Sequence, residues 1–337
     1  MSAPELLNRH AAAIEAALRT AIETRTDQLY RMMEYQLGWV DEQGAPLSTA
    51  PERPRAALCL GVSEAVGDPH STGSGRAVGA AMASAAAVEL LHEFTRVHED
   101  IQSGAPEQEN RPSGWWLWGP AQAINVGDAL HMVARLTLLH AEGADPERVL
   151  DAAMVMDAAA LDLFEGQQQD LSLQLQPAAT PSAYLAMAER QSGAVLGCAA
   201  QLGALAAGAD EAAQAACRSA GRSLGVALRL QDDIRELWGA EGTSTVVRRS
   251  FPVVLAIESA PVAVKREIGT LLMARTHGPK DAARLAELLD EAGARQGAVD
   301  AALAARAAFA EGLGRAGIAP ERRGELVALA EHMTQGL

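Results

Sequence analysis

The sequence predicts an all-α protein, because three observations favour packed helices over sheets. Hydrophobic residues make up 49% of the 337 residues, whereas only 4% of the residues are aromatic. Alanine and leucine dominate the apolar positions, and runs of β-branched residues are few. The apolar positions also recur at helical spacing between clear breaks. We find no internal repeat and no linker typical of a domain boundary, so we expect a single domain over residues 1–337.

The first third of the chain contains three segments of helical spacing, separated by breaks rich in glycine, proline and serine. The last of these segments is alanine-rich and long enough to cross a domain. It delivers Glu99 and Asp100 to its C-terminal end. The segments cover residues 4–37, 55–66 and 76–101, and the breaks after them begin at Gly38, Gly67 and Gly104.

Helix-start signals mark the elements that follow. Proline directly after Gly119 opens one helix, and Asp145-Pro146-Glu147 opens another. Thr180 has the form of an N-cap, with Pro181 at the first helical position. The predicted helices cover residues 120–141, 146–173, 181–207, 211–238 and 252–258, followed by alanine- and leucine-rich helical stretches over 262–333.

The charge balance excludes some classes of partner. The chain has 28 basic and 43 acidic residues, a net charge of −15, which argues against nucleic acid and anionic membrane surfaces as partners. Cys59, Cys198 and Cys217 lie far apart and indicate buried thiols rather than a disulfide framework or a zinc site. The N-terminus lacks the pattern of a signal peptide, and no window approaches a membrane span. We therefore expect a cytoplasmic protein.

Two acidic clusters on long helices suggest a metal site. Asp232 and Glu236 stand one turn apart on one helix face, with Asp233 beside them. Glu99 and Asp100 form the second cluster. A diphosphate held between two such walls by Mg²⁺ fits the preference of this ion for a few carboxylates, phosphate oxygens and water. Judged by charge spacing alone, however, a solvated helix face is the commoner interpretation.

A series of short motifs makes the prediction more specific. In their order along the chain, they resemble the polyprenyl synthetase family. The resemblance implies a trans-isoprenyl diphosphate synthase of the all-helical isoprenoid synthase fold, a bundle around a central cavity. It also implies a prenyl diphosphate substrate, Mg²⁺ and a homodimer. The motifs are Glu89-Leu90-Leu91-His92, Val97-His98-Glu99-Asp100-Ile101-Gln102, Trp118-Gly119, Ala123-Ile124-Asn125-Val126-Gly127-Asp128-Ala129, Glu165-Gly166-Gln167 and Gln231-Asp232-Asp233-Ile234.

The sequence departs from the family pattern at the first acidic motif and at the segment that resembles the isopentenyl diphosphate site. The first aspartate-rich motif, D-D-x-x-D, is Glu99-Asp100-Ile101-Gln102-Ser103, and the arginine pair that follows it in the family aligns with Gln108-Glu109. The early G-K-R-x-R aligns with residues 51–55, where Glu52 replaces the lysine. Arg53, Arg55 and His92 remain as candidate substrate contacts. Each lost cation removes a charge-assisted contact of roughly 1.5 to 3 kcal/mol when partly buried.

The allylic side also departs from the family pattern. The K-T pair that faces the allylic diphosphate is Gln191-Ser192, and F-Q before the second motif is Leu228-Arg229. The later G-K lysine has no equivalent in the loop over 240–249. Arg229, Arg248 and Arg249 either replace the lost cations or lie at the surface. Gln167 and Asp170, one turn apart, either line the cavity or form a buried hydrogen-bonded pair.

Three hypotheses follow from this pattern. The first is a Mg²⁺-dependent enzyme that ionises an allylic prenyl diphosphate and cyclises it or transfers it to an acceptor other than isopentenyl diphosphate. The second is ordinary chain elongation with rearranged cations, and the third is a non-catalytic prenyl-binding or regulatory subunit. We favour the first, because Asp232 and Asp233 persist in their full local context beside a depleted isopentenyl site. We predict Asp232, Asp233, Glu236, Glu99 and Asp100 as catalytic residues of the Mg²⁺ site, and all of these except Asp233 as metal ligands.

Overall fold

The computed structural model of the chain describes residues 5–22, 27–67, 75–108, 111–141, 144–176, 179–239, 247–274 and 278–336. Within these ranges, regular structure consists of fourteen α-helices and one antiparallel ribbon of two short strands, which confirms the predicted all-α class. Contacts divide the chain into two compact units. The first unit is Met1–Ala160, Cys198–Arg218 and Gly314–Leu329, and the second is Leu161–Gly197, Ser219–Leu313 and Ala330–Leu337. A single domain over residues 1–337 stays a prediction.

The first unit contains the first six helices and the ribbon. The segment predicted as helical over 4–37 contains two helices, and the tryptophan-rich patch after the ribbon forms a short helix that the spacing did not predict. The bounds are α1 (Glu5–Ile22), α2 (Gln28–Gln36), α3 (Pro54–Val66), α4 (Gly75–Ser103), β1 (Glu107–Gln108), β2 (Arg111–Pro112), α5 (Gly114–Trp118) and α6 (Pro120–Leu139).

The remaining helices agree with the start signals in the sequence. Proline occupies the first position of α7, α8, α12 and α14, where its missing N–H costs no helical hydrogen bond. Helices α7, α8, α9, α13 and α14 contribute residues to both units. The bounds are α7 (Pro146–Leu175), α8 (Pro181–Ala206), α9 (Glu211–Trp238), α10 (Phe251–Ser259), α11 (Val262–Met273), α12 (Pro279–Glu291), α13 (Ala294–Arg315) and α14 (Pro320–Met333).

The core of the first unit is built on α4, which packs most extensively against α6 and also contacts α1 and α3. Gly127 on α6 faces the ring of His98 on α4 so closely that an added Cβ would overlap it. Phe94 packs edge-on against His98 and stacks on His131. The glycine of the A-I-N-x-G-D motif therefore allows α6 to approach the acidic end of α4.

The core of the second unit forms where α9 meets α8 and α10. A cluster of buried residues includes Tyr184 and Met187 on α8, Leu230 and Ile234 on α9, and Phe251 on α10. Small residues let α8 and α9 pack with their backbones in contact, since a Cβ added to a glycine on α9 would overlap the backbone of α8. This close packing fixes the positions of the polar side chains of α9 relative to α8 and α10.

The three cysteines are buried free thiols, in line with their prediction as small apolar residues. Burial raises the pKa of Cys217 to about 11 and that of Cys198 to about 12, and it also raises the pKa of Cys59. Among the helices that the structure describes, none combines the length and the apolar character of a membrane span.

Candidate functional site

In the first unit, the start of α3 is fixed by a buried acid on α4. Oε1 of Glu89 accepts hydrogen bonds from the backbone N–H of Arg55 at 2.9 Å and of Ala56 at 2.8 Å. Burial raises the pKa of Glu89, although the nearby Arg55 and Arg53 oppose this shift. Helix N-termini carry unpaired N–H groups and a partial positive charge. A carboxylate at this place accepts hydrogen bonds from the N–H groups and interacts favourably with the charge. The glutamate of the E-L-L-H motif therefore positions Arg55.

Arg53, predicted to contact the substrate, makes structural contacts. Its side chain is buried, and Nε donates to Oε1 of Glu15 at 2.7 Å while Nη2 donates to the carbonyl oxygen of Leu37 at 2.6 Å. Nη1 lies 3.5 Å from Oε1 of Glu93. All three guanidinium nitrogens thus face oxygen atoms of the protein, and Arg53 ties the start of α3 to neighbouring segments.

His92 is surrounded by positive charge. Burial and the nearby Arg55, Arg96 and Arg53 lower the pKa of His92 well below its usual value, so the imidazole is neutral at neutral pH. Arg96, one turn further along α4, donates from Nη2 to Oε1 of Gln108 at 3.2 Å. A neutral histidine among three arginines marks a region where a bound anion is favoured.

A cavity of about 230 Å³ in the first unit contains part of this basic region. Asp100, only 4% exposed, lines the cavity together with Arg96, whereas Glu99 is half-buried. Gln108, which stands where the family pattern has an arginine, also lines it. The second position of that pair, Glu109, lies outside the described residues. The polar lining residues are Tyr35, Gln36, Thr49, Glu93, Arg96, Asp100, Gln108, Arg111 and Ser113.

In the second unit, the three acids of α9 have different environments. Asp232 is exposed, whereas Asp233 is completely buried. Oδ2 of Asp233 accepts hydrogen bonds from the hydroxyl of Tyr184 at 2.6 Å and from the backbone N–H of Phe251 at 3.0 Å. Asp233 therefore joins α8, α9 and α10. Its predicted catalytic role has to be reconsidered, because its contacts are those of a buried structural acid.

Arg229 is the buried cation beside Asp233. Its guanidinium donates to Oε1 of Gln191 at 3.0 Å, to Oδ2 of Asp170 at 3.1 Å and to the hydroxyl oxygen of Tyr184 at 3.1 Å. Burial disfavours its charge, but Tyr184, Asp233 and Asp170 raise the pKa of Arg229 well above its usual value. The alternative that Arg229 lies at the surface is wrong, since only 8% of it is exposed.

The segment before α10 brings a second arginine to the acidic motif. Nε of Arg248 donates to Oε2 of Glu236 at 2.7 Å, and Nη2 lies 3.3 Å from Oδ1 of Asp233. Arg249 instead turns to α7, where its backbone N–H donates to Oε1 of Gln174 at 2.9 Å and its guanidinium donates to the Gln174 carbonyl oxygen. Arg248 is therefore the arginine of this pair that faces the acids of α9.

The E-G-Q motif on α7 contributes a buried amide. A Cβ on Gly166 would lie 2.5 Å from the backbone nitrogen of Gln191, so this glycine allows α7 to approach α8. Gln167 is 6% exposed, and its Nε2 has no hydrogen-bond partner among the described residues. Asp170 is held by Arg229 and by Nε2 of Gln174, at 3.1 Å. The structure gives no hydrogen bond between Gln167 and Asp170 in the described part of the chain, so the predicted buried pair is not formed.

The donor set of α9 suits Mg²⁺ in part. Within the described ranges, no three His, Cys, Asp or Glu side chains are grouped closely enough to hold a metal ion by themselves. Asp232 and Glu236, one helical turn apart, offer two carboxylates on one face. This matches an ion that takes one or two carboxylates and completes its shell with substrate phosphates and water. Glu99 and Asp100 offer a further pair in the first unit.

Comparison with known proteins decides the family. The model of the polyprenyl synthetase family matches residues 47–289 of the chain. The chain belongs to the polyprenyl synthetase family. This result confirms the resemblance that the ordered motifs had indicated.

The chain is similar to several prenyl diphosphate and polyprenyl synthases. A geranylgeranyl diphosphate synthase from Mycobacterium tuberculosis is 36% identical to this chain, over 75% of this chain and 72% of its own length. A (2E,6E)-farnesyl diphosphate synthase from Mycobacterium bovis is 32% identical over 96% of this chain and 83% of its own. The crystal structure of a polyprenyl synthetase from Streptomyces coelicolor has a TM-score of 0.85, with 29% identity over 97% of this chain and 98% of that one. These relatives are named as prenyl diphosphate or polyprenyl synthases, and none of them is named as a terpene cyclase.

Compared with the family pattern, a positive charge in the second unit has moved from α8 to α9. Gln191 stands where the family has the lysine of K-T, and Arg229 stands where it has the glutamine of F-Q. The two side chains are hydrogen-bonded to each other at 3.0 Å. The positive charge that the sequence loses on α8 is therefore present on α9, at the facing position.

Sequence reasoning missed the residue at the centre of this network. The hydroxyl of Tyr184 donates to Asp233 and accepts from Arg229. Burial raises its pKa above the usual range, so Tyr184 keeps its proton for the bond to Asp233. One signal was available, because the chain has only three tyrosines and this one lies within the alanine-rich α8.

Proposed function

We propose that this chain is a prenyl diphosphate synthase that elongates an allylic prenyl diphosphate with isopentenyl diphosphate. The carbon–oxygen bond of the allylic substrate breaks, its prenyl carbon bonds to isopentenyl diphosphate, and diphosphate and a proton are released. The names of the relatives support elongation and do not support cyclisation or a different acceptor, which the sequence had favoured. The observation that carries the proposal is the match of the polyprenyl synthetase model over residues 47–289, together with the two prenyl diphosphate synthases that are 36% and 32% identical to the chain.

The basic region of the first unit supports a site for isopentenyl diphosphate. Arg55 is positioned by Glu89, and Arg96 lines the cavity of about 230 Å³. His92 stays neutral between them and is available as a hydrogen-bond donor or acceptor. This arrangement offsets part of the loss of the arginine pair at 108–109 and of the lysine at position 52.

The acids supply the metal contacts of the proposed reaction. Asp232 and Glu236 would hold Mg²⁺ at α9, and Glu99 and Asp100 would hold it in the first unit. When bound, Mg²⁺ neutralises the diphosphate and makes it a better leaving group. The chain itself orients the site, since the buried Asp233 fixes α9 against α8 and α10. Gln167, whose buried amide nitrogen has no partner among the described residues, is a further candidate contact to the diphosphate.

One observation favours a second candidate, a non-catalytic prenyl-binding subunit. Arg248 already neutralises Glu236, with Nε and Oε2 at 2.7 Å. In an active enzyme, Glu236 would hold Mg²⁺ only if this guanidinium left it, and Arg248 would then be available to donate to a diphosphate oxygen. In a non-catalytic relative, the ion pair persists and Mg²⁺ gains no affinity from Glu236.

The test is incubation of the purified chain with Mg²⁺, isopentenyl diphosphate and C10 to C20 allylic diphosphates. Longer prenyl diphosphates should form only when both substrates are present. Asp232→Asn should abolish turnover, whereas Asp151→Asn, the same change at an exposed position of α7, should leave it unchanged. Cyclic hydrocarbons or alcohols from the allylic substrate alone would replace elongation by cyclisation. Absence of turnover together with binding of the prenyl diphosphate would favour the non-catalytic subunit.

We also propose that the protein acts as a homodimer. Helix α6 exposes Ile124, Met132, Leu136 and Leu139, of which the last three follow at intervals of four and three residues on one face. Such an apolar stripe is typical of a surface that another molecule covers. Location in the cytoplasm stays a prediction from the sequence.

A further inference from the structure

A second cavity in the first unit, of about 390 Å³, lies far from the acidic end of α4. Ser84 on α4 lines this cavity, and it is sixteen residues from Asp100, roughly 24 Å along the helix. The wall is mainly apolar, and the volume falls within the range of small-molecule sites. The apolar side chains that form it include Leu138, Val149, Ala152, Leu202, Leu205 and Ala206.

The lining of this cavity includes an exposed cation, Arg148, that has no hydrogen-bond or ion-pair partner in the part of the chain that the structure describes. Nη1 and Nη2 of Arg148 both lie 3.3 Å from the position that a Cβ would take on Gly208. Gly208 has a φ of +82° at the end of α8, a conformation that glycine adopts without strain. Within the described residues, Arg148 makes no hydrogen bond or ion pair. The acid in the lining, Asp145, is used as a helix cap, since its Oδ1 accepts the backbone N–H of Glu147 at 2.9 Å.

A mainly apolar cavity with the guanidinium of Arg148 at its edge is complementary to a particular class of ligand. A ligand with an apolar chain would bury that chain against the alanine and leucine side chains. Its anionic head would form charge-assisted hydrogen bonds with the guanidinium, which presents donors in a fixed fork. A neutral apolar ligand would leave Arg148 unpaired, and a small anion would leave the chamber unfilled.

We infer that this cavity binds an anionic amphiphile, with its chain among Leu138, Ala152 and Leu202 and its head group at Arg148. Long-chain carboxylates and prenyl diphosphates share this chemistry. The site does not depend on the proposed reaction, because it is defined by a different set of residues from the acidic motifs. Bound there, the amphiphile would contact the starts of α4 and α7 and the ends of α6 and α8.

The test is calorimetric titration of the full-length protein with laurate below its micelle concentration. Arg148→Glu should weaken binding at least tenfold. Arg218→Glu is the matched control, because it makes the same charge change at an exposed position of α9 outside the cavity, and it should keep the affinity within twofold. Ala152→Trp should abolish binding by filling the chamber, with its helical circular dichroism retained. Equal affinities of the two glutamate variants, whether both high or both low, would overturn the inference.

A second titration identifies the head group. Farnesyl diphosphate is added in the presence of saturating inorganic diphosphate and Mg²⁺, which occupy a diphosphate site at the acidic motifs. Binding that persists and is weakened by Arg148→Glu would assign prenyl diphosphates to the cavity, and binding of laurate alone would assign carboxylates. If inorganic diphosphate displaces both probes and Arg148→Glu binds like the wild type, the amphiphile lies elsewhere and the inference fails. Neither titration requires turnover, so failure here is separable from failure of the proposed elongation.

Discussion

The exchange of charge between positions 191 and 229 can be tested by reversing it. Arg229→Gln removes three hydrogen bonds and leaves Asp170 without its cation. Breaking a buried ion pair on one side costs about 3 to 5 kcal/mol. The lower end applies here, because the Asp170 side chain keeps 16% exposure and a hydrogen bond from Gln174. We therefore expect a loss of about 3 kcal/mol in the free energy of unfolding.

The double variant Gln191→Lys with Arg229→Gln places the cation back on α8, as in the family pattern. Gln191→Lys alone puts two cations side by side in a buried place and should also destabilise the protein. In the double variant, lysine again faces a neutral amide and can reach Asp170. The loss should then be smaller than the sum of the two single losses by roughly 2 kcal/mol, a coupling within the range for residues in contact.

Urea unfolding followed by circular dichroism measures these free energies in all four proteins. Arg222→Gln is a matched control, since Arg222 pairs with Asp162 at a more exposed place in the same unit and should cost about 1 kcal/mol or less. Turnover should follow the same pattern, with recovery in the double variant. The reasoning is refuted if Arg229→Gln costs less than the Arg222 control, or if the two single losses simply add.

Further predictions concern the acids and the packing. Asp232→Asn should abolish Mg²⁺-dependent diphosphate binding and change stability by less than about 0.5 kcal/mol, whereas Asp233→Asn should lower stability by about 3 kcal/mol; calorimetry and urea unfolding separate the two effects, and equal losses of stability would contradict the different burial. Gly127→Ala should cost roughly 1 to 3 kcal/mol by overlap with a histidine ring on α4. Gly269→Ala, with nothing within 4 Å of the new Cβ, should gain up to about 1 kcal/mol; thermal unfolding that ranks these two variants in the opposite order would show that the close approach does not limit packing. Because burial raises the pKa of Glu89 above its unfolded value of 4.5, its proton-linked stabilisation is fully present below pH 4.5 and is lost as the pH rises through the raised pKa. The unfolding free energy of the wild type, relative to that of Glu89→Gln, should therefore fall as the pH rises from 4.5 through the raised pKa of Glu89. A rise would mean that the folded-state pKa is lowered.

Much of the helical architecture follows from local signals. Prolines at first helical positions and the apolar spacing placed the starts of α7 and α8 correctly, because these preferences depend on a few neighbouring residues. The short helix α5 and the division of the first helical segment were not predicted. The three tryptophans and one leucine over 115–118 have no clear period, and α2 is only nine residues long.

The candidate site was predictable as a set of residues and not as a set of contacts. The order of motifs was enough to identify the family and to select Gln167, Asp170, Gln191 and Arg229. That these four side chains belong to one region of the second unit depends on α7, α8 and α9 packing together. Arg229 lies 38 residues from Gln191 and 59 from Asp170, so no local pattern links them.

The sequence by itself determined the helical class, the family and the positions at which charges are lost. Only the tertiary structure decided what the remaining charges do. Asp232 and Asp233 are neighbours in the chain, yet one is exposed and the other is 0% exposed, because each residue of a helix is turned by about 100° from the one before. Arg229 supplies the cation that is absent from position 191, because the packing of α9 against α8 brings the two side chains into contact. The local sequence shows the two substitutions but not that their side chains meet, since electrostatic interaction depends on distance in space and not on distance along the chain.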